Sequence, residues 1–228
     1  MSKTLTRMAL LALLLVLLTG CDFWIYQVEP TPTAAPPPPP GSACAVASVE
    51  RLQAWLDEKI PRSEKEVPGG VVYLDTPRVT NCDANKMYLQ IRIGYQRGDL
   101  VIEVGLLEQS LNLRYDEGQG SVCLDLLGGG TLSAPDMAPQ GVAQVGEQIQ
   151  VGETKARIDA ASPLDQMPAD VRERFDQAVS KSVTIDGGDQ QGIGTEAAGI
   201  LLDWAVGDLV QRLNTALANL IGACLSVR

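Results

Sequence analysis

Cysteine and carboxylate side chains are the groups in this sequence whose types and spacing suggest chemistry. The chain has five cysteines and no histidine among its 228 residues. It therefore has no Ser-His-Asp or Cys-His catalytic arrangement and no zinc site with histidine ligands. The adjacent carboxylates Asp57 and Glu58 do not face each other on a helix, and Asp116 and Glu117 fall in a predicted turn. We predict solvated charge at both pairs, no catalytic residue and no enzyme activity.

The beginning of the chain is typical of a secretory signal. Lys3 and Arg7 precede an uncharged apolar segment, residues 8–20. That segment is shorter than the about 20 residues that a membrane-spanning helix needs. A basic start, a short apolar core and small residues before a cut define a cleavable signal peptide. We predict that residues 1–20 are removed and that Cys21 becomes the first residue.

The sequence Leu18-Thr19-Gly20-Cys21 resembles the lipobox of bacterial lipoproteins. In such signals the cysteine sulfur is acylated and the cysteine becomes the mature N-terminus. Two or more acyl chains, at about 0.8 kcal/mol per buried methylene, hold a protein stably on a membrane. We predict lipidation of Cys21 and a protein anchored in the cell envelope, on the extracytoplasmic side of a bacterial membrane. An ordinary signal peptide with a chance cysteine, or an uncleaved anchor, is the alternative.

The other four cysteines are dispersed and form no C-x-x-C pair. Beyond a secretory signal, an even number of dispersed cysteines indicates disulfides. Three pairings are possible, of which we favour Cys44–Cys82 and Cys123–Cys224. A Cys₄ metal site is the alternative. We predict two disulfides, no metal site and no cofactor.

Charge excludes one class of partner. The sequence has 18 basic and 28 acidic residues. Without Lys3 and Arg7 the mature chain has 16 basic residues against 28 acidic ones, a net charge of −12. Nucleic-acid binding requires clustered Lys and Arg that neutralise phosphates, and no basic stripe is visible. We predict no nucleic-acid partner, and the sequence names no protein partner.

A proline-rich segment separates the anchor from the rest of the chain. It contains EPTPTAAPPPPPG, a composition typical of an extended polyproline spacer of about 3.1 Å per residue. A docking motif for an aromatic groove is the sharper alternative. We divide the chain into the signal peptide 1–20, the lipidated N-terminus and tether 21–43, and a single domain 44–228.

The first half of this domain predicts a short helix followed by an antiparallel β-meander. Apolar residues at helical spacing indicate a helix over residues 49–60, capped by Ser48 and ended by Pro61. Alternating residues then indicate strands with one apolar face, whose inward rows are Met87, Leu89, Ile91, Ile93 and Tyr95; Leu100, Ile102, Val104 and Leu106; Leu111, Leu113 and Tyr115; and Val122, Leu124 and Leu126. The change of phase between Leu106 and Leu111 predicts a β-bulge.

The second half begins with less pattern and ends with a clear helix. We predict a loop over 128–144, a strand or strand pair over 148–158 and a short helix after Pro168. Residues 195–225 contain no proline and carry one apolar stripe, which predicts a long amphipathic helix: Leu202, Val206, Leu209, Leu213, Leu217, Leu220 and Cys224. Charges at Asp203, Asp208 and Arg212 exclude a membrane span. The predicted fold class is α+β.

The order of four segments resembles the YceB-like bacterial lipoproteins of the TULIP (tubular lipid-binding) superfamily. They are LQAWLDEKIPRS, VVYLDTPRV, NKMYLQIRI and LNLRYDEGQGSVCLDL, followed by the long C-terminal helix. The resemblance covers residues 48–126 and the helix from Thr195, and residues 128–194 have no counterpart. It implies a curved antiparallel meander wrapped around the long C-terminal helix, with a short N-terminal helix. It also implies a tunnel for acyl chains and no catalytic residue.

Two functions follow as expectations. The first is the binding of a lipid, a fatty acid or another apolar ligand between sheet and helix, where burial of apolar area would supply the affinity. Its candidate ligand-binding residues are Leu89, Ile91, Ile93, Ile102, Val104, Leu113, Leu202, Val206, Leu209 and Leu213. The alternative is a structural or interaction lipoprotein with a filled core, whose contact surface lies in residues 128–194.

Overall fold

The computed structural model describes residues 39–160, 163–185 and 188–227. The predicted signal peptide, Cys21 and residues 21–38 of the tether lie outside the described residues. The described part has an α+β fold in which a curled antiparallel sheet, a half-barrel, packs against a long C-terminal helix. The predicted fold class is confirmed at this level.

The half-barrel is built from seven strands in the described part of the chain. The strands are β1 Ser63–Val67, β2 Gly70–Leu74, β3 Arg78–Asp83, β4 Lys86–Arg97, β5 Leu100–Asp116, β6 Ser121–Leu127 and β9 Cys224–Ser226. Their order in the sheet is β1-β2-β4-β5-β6-β9, and β3 also pairs with β4. All of the pairings are antiparallel. A separate ribbon joins β7 Val183–Thr184 to β8 Gln191–Gly192.

Strand β4 has the alternation that its sequence predicts. Every second residue from Met87 to Tyr95 is buried on the inner face. The neighbouring strand β5 contains the predicted bulge, but earlier than expected. Ile93 pairs with Gly105 and Gly94 pairs with Glu103, so Val104 is the extra residue. The phase changes there, and Leu106 is 40% exposed while Leu107 is buried. The inward assignment of Leu106 is therefore wrong.

The edges of the meander also depart from the predicted rows. Leu100, at the start of β5, is exposed, and Leu126, near the end of β6, is 57% exposed. A second change of register, between Asn112 and Leu113, shifts the pairing of β5 with β6. Because this shift turns the end of β6 over, Leu126 faces outward and the predicted inward position is wrong.

Six α-helices and one 3₁₀ turn complete the described fold. They are α1 Ala43–Val46, α2 Val49–Lys59, α3 Pro139–Gln148, α4 Val151–Asp159, the 3₁₀ turn Pro163–Gln166, α5 Ala169–Val179 and α6 Gly194–Asn219. The predicted helices at α2 and α5 are confirmed, and the Ser48 side chain accepts a hydrogen bond from the Arg51 N–H as the N-cap of α2. The loop predicted over 128–144 is wrong from Pro139 onward, where α3 begins. The strand or strand pair predicted over 148–158 is wrong because α4 occupies most of it.

Helix α3 packs against the bulge of β5. The extra residue, Val104, offers its carbonyl to the N–H of Ala138, which precedes α3, at 2.8 Å. A Cβ atom at Gly141 would lie 3.0 Å from the Glu103 carbonyl oxygen. Glycine at this position lets the helix approach the strand backbone, so the bulge fixes where α3 crosses the sheet.

The long helix α6 ends earlier than its sequence predicts. It has 26 residues and ends at Asn219, a length of about 39 Å at about 1.5 Å per residue. Gly222 then adopts a φ of 84°, and Cys224–Ser226 form β9 against β6. The apolar stripe of α6 therefore stops before Cys224, whose assignment to the helix is wrong.

Both favoured cysteine pairs are disulfides. Cys44 is bonded to Cys82, and Cys123 is bonded to Cys224. The first bond ties α1 to β3, and the second joins directly opposed residues of β6 and β9.

Within the described ranges, no helix is long and apolar enough to cross a membrane.

Candidate functional site

The structure places all ten candidate ligand-binding residues in one buried cluster between the half-barrel and α6. Their exposed fractions run from 0% to 7%, the largest at Ile102. Six come from β4 and β5 and four from α6. The sequence therefore identified residues that share one apolar interior. Leu89 also borders a surface cleft, beside Tyr88 and Gln109.

Residues 128–194, which have no counterpart in the resemblance, contribute side chains to the same apolar interior. Helix α6 packs against α3 and α5 as well as against β1 and β2. The apolar residues that reach the core from α3, its C-cap, the 3₁₀ turn and α5 are Val145, Ile149, Leu164, Phe175 and Val179. All five are at most 4% exposed. The side chains of α3 and α5 thus occupy space beside α6, and the interior is packed with the chain's own residues.

Residues 128–138 form a strap that crosses the inner side of β5. Near one end, the Gln109 side-chain amide donates a hydrogen bond to the Gly130 carbonyl at 2.8 Å. Near the other, a Cβ atom at Gly105 would lie 3.6 Å from Pro135 and from the sulfur of Met137. The strap therefore packs along the stretch of β5 that β6 leaves uncovered.

A buried lysine lies where β1 meets α6. Lys65 is 7% exposed, and its ammonium donates to Asp208 Oδ2 at 2.9 Å and to Gln166 Oε1 at 3.3 Å. The Trp204 ring centroid is 4.3 Å from Lys65 Nζ, a distance typical of a cation–π contact. Sequence analysis missed β1 because three of its five residues are charged, and only the Lys65-x-Val67 alternation signals an inward-facing lysine.

A second polar cluster, formed by the side chains of Tyr95 and Glu153, lies under the β1–β2 turn. The Tyr95 hydroxyl and Glu153 Oε2 are buried and have no hydrogen-bond partner in the described part of the chain. A Cβ atom at Gly69 would lie 3.3 Å from the former and 3.1 Å from the latter. The other Glu153 oxygen accepts a hydrogen bond from Arg97 at 2.6 Å. Burial raises the pKa of Tyr95 to about 12, with Arg97 lowering and Glu153 raising it, so the phenol stays protonated at neutral pH.

Neither polar group has the geometry of a metal centre or a nucleophile with its base. No cluster of three or more Asp, Glu or Cys residues suited to a metal ion occurs among the residues that the structure describes. Lys65 is held by a carboxylate and an aromatic ring. Tyr95 lies behind Gly69 and Gly70, where a Cβ atom at Gly70 would be 2.9 Å from its ring. Both groups therefore fit a role in packing the half-barrel.

Comparison of the chain with protein-family models, with curated proteins and with solved structures finds no match. The fold itself defines the class: an α+β domain in which a half-barrel and a long helix enclose an apolar interior. The resemblance to YceB-like lipoproteins stays a prediction, and the function has to be inferred from the packing and surface of this chain.

Proposed function

We propose that the protein is a lipid-anchored lipoprotein of the bacterial cell envelope whose folded domain acts as an interaction module. The observation that carries this proposal is the packed interior. Apolar side chains from the half-barrel, α3, α5 and α6 form one cluster, and burial of that area stabilises a domain that presents its surface to partners. Exposed Val101, Leu106 and Leu126 supply apolar contacts on the β5 and β6 surface.

The location rests on the beginning of the sequence and on the cysteines. A basic start, a short apolar run and the lipobox-like residues before Cys21 favour export and acylation. Disulfides form and persist in oxidising compartments, and the two bonds of this chain fit such a compartment. The proposal includes no catalytic role and no nucleic-acid partner, in keeping with a chain that has no histidine and a surplus of acidic residues.

A second candidate is the binding of a lipid, a fatty acid or another apolar ligand between half-barrel and helix, as in the TULIP superfamily. The observation that favours it is the continuity of the ten candidate residues in one apolar cluster. A single acyl chain would have to displace the strap or one of the helices α3 and α5 from this cluster. The gain would be about 0.8 kcal/mol per buried methylene, less the cost of that displacement.

Native mass spectrometry of residues 41–228 distinguishes the two candidates. The fragment contains both disulfides and every described helix and strand. Purified from a bacterial periplasm and offered palmitate, it is expected to retain the mass of the protein alone. A complex with one fatty acid or phospholipid per chain would replace the packed-interior proposal with the apolar-ligand one.

Ile93→Trp provides an independent check on the same fragment. Ile93 is fully buried on β4, and extra atoms in a packed core destabilise by about 1–3 kcal/mol or more. A packed interior therefore predicts a lower denaturant midpoint for this variant. An unchanged midpoint, together with the loss of a bound lipid, is the result expected of a tunnel.

A further inference from the structure

The outer face of the sheet has a cleft where β2 gives way to β3 along β4. Its volume is about 600 Å³, and it is lined by Gln53, Asp75, Thr76, Arg78, Val79, Thr80, Gln90 and Arg92. Strands β2 and β3 pair with different halves of β4, and residues 75–77 connect them. Gln53 of α2 completes the wall, so the cleft lies where α2 meets the meander, with Arg78 and Arg92 exposed to solvent.

Two arginines dominate the charge of this cleft. Arg78 pairs with Gln90 across β3 and β4, and Arg92 follows two residues later on the same outward face. Diagonal neighbours of this kind lie about 7–8 Å apart at their Cα atoms, a separation that long arginine side chains span. Both arginines are exposed, so two guanidinium groups share one open cleft.

Neither the Arg78 nor the Arg92 guanidinium makes an ion pair or a side-chain hydrogen bond in the described part of the chain. Most of the other described arginines make one or the other. By contrast, Arg62, Arg97, Arg172 and Arg212 are each within 4 Å of a carboxylate. The protein carries a net charge of −10, so carboxylates are plentiful. The feature that sets Arg78 and Arg92 apart is that two guanidinium groups without an ion pair line one cleft.

The remaining polar groups of the cleft are mostly occupied. The Gln53 amide binds the Pro77 carbonyl and the Val79 N–H, and the Gln90 amide donates to Glu108. Asp75 is the only carboxylate among the lining residues. It lies opposite Arg92, and its Oδ1 accepts from the Thr76 N–H. The cleft thus contains the guanidinium groups of Arg78 and Arg92 and the carboxylate of Asp75, which together give it a net charge of +1.

We propose that this cleft binds a phosphate group, held by Arg78 and Arg92 together. A guanidinium fork offers parallel N–H donors that match two oxygens of an oxyanion. A carboxylate has only two oxygens and is satisfied by one fork. A tetrahedral phosphate has enough oxygens for two forks that approach from neighbouring strands. The site lies outside the apolar interior and is independent of which proposed function holds.

The test uses the full-length lipoprotein in a nonionic detergent, titrated with inorganic phosphate by calorimetry. Arg78→Gln and Arg92→Gln are each expected to weaken phosphate affinity about tenfold, the loss of about 1.4 kcal/mol that one charge-assisted contact supplies. Asp75→Asn removes the opposing charge and is expected to tighten binding about threefold, roughly 0.7 kcal/mol. Arg114→Gln is the matched control, since Arg114 is exposed on β5 and 3.9 Å from Asp125.

A second titration, with sn-glycerol 3-phosphate, distinguishes a lipid headgroup from free phosphate. Tighter binding of the ester assigns the cleft to phosphorylated headgroups, and tighter binding of the inorganic ion assigns it to free phosphate. Absence of saturable binding for both probes, or an equal loss in the Arg114→Gln control, would overturn the proposal. These results do not depend on bound palmitate or on a packed interior, so each proposal can fail without the other.

Discussion

Asn214 on α6 and Leu132 in the strap form a reciprocal pair of hydrogen bonds. The Leu132 N–H donates to Asn214 Oδ1 at 2.8 Å, and Asn214 Nδ2 donates to the Leu132 carbonyl at 2.8 Å. A side-chain amide thereby replaces the backbone partner that a neighbouring strand would supply. This pair attaches the strap, residues 128–138, to the long helix.

Replacing Asn214 by alanine is expected to loosen the strap. The change leaves the N–H and carbonyl of Leu132 without their partners, at a cost of about 1–3 kcal/mol for partly buried groups. Hydrogen exchange followed by mass spectrometry should show faster exchange of residues 128–138 and no change in β4. Asn219→Ala, near the exposed end of the same helix, is the control, and equal exchange rates in both variants would contradict the assignment.

The ion pair between Lys65 and Asp208 predicts a strong asymmetry between single and double substitutions. Asp208→Leu leaves the buried Lys65 ammonium without its carboxylate and also removes the ion-pair partner of the exposed Arg212. Because a third of the Asp208 side chain is exposed, we expect a cost of about 2 kcal/mol, between the values for exposed and fully buried pairs. Adding Lys65→Met removes the orphaned charge and should recover most of that loss. Denaturant unfolding of the four proteins of this cycle measures both steps. A double variant as unstable as Asp208→Leu would show that the lysine is not the cause.

The two disulfides are expected to differ in their contribution to stability. They join residues 38 and 101 positions apart in sequence. In the chain-entropy treatment, loops of those lengths restrict the unfolded chain by about 3.9 and about 4.7 kcal/mol. Replacing Cys123 and Cys224 by serine should therefore lower the free energy of unfolding by about 1 kcal/mol more than replacing Cys44 and Cys82. The reverse order in urea denaturation would contradict this ranking.

Stability should decrease at alkaline pH because of Tyr95. Burial raises the pKa of its phenol from 10.0 to about 12 in the folded chain. Between these values the unfolded chain loses the proton while the folded chain keeps it, so stability falls as pH rises from about 10 to about 12. Tyr95→Phe removes this dependence. It is also expected to cost little at neutral pH, since the buried hydroxyl has no hydrogen-bond partner among the described residues.

Tyr73 is the reference for that measurement. Burial raises the pKa of Tyr73 as well, so Tyr73→Phe removes a separate part of the alkaline loss. Thermal melts of both variants and of the unchanged protein, from neutral pH to pH 12, separate the two contributions. An alkaline profile that Tyr95→Phe leaves unaltered would disprove the assignment.

The apolar meander was predictable because its strands carry their own pattern. Alternation from Met87 to Tyr95 places one set of side chains inside whatever the rest of the chain does. The position of the bulge was not predictable to the residue. The bulge lies where Gly141 contacts the backbone of Glu103 and Val104, and this contact with a helix almost forty positions later leaves no mark on the alternation of β5.

Elements with little apolar pattern were missed for a related reason. Helix α4 has one fully buried residue, Thr154, so no period marked it. Strand β9 looked like the end of α6, because Leu220 and Cys224 continue the helical spacing. Its pairing with β6 becomes possible only after the turn at Gly222. The cysteine pairs could be favoured from the sequence, but the paired cleft arginines, Arg78 and Arg92, depend on the register of β3 and β4.

The long-range disulfide has a consequence for proteolysis. A single cut anywhere between Cys123 and Cys224 leaves both pieces joined through this bond, and the same holds for a cut between Cys44 and Cys82. A protease that nicks the strap would therefore produce no smaller species on a non-reducing gel. Within residues 44–224, separate fragments require a cut between the two bridged loops, in residues 83–122, and much of that segment is the hydrogen-bonded β4–β5 hairpin.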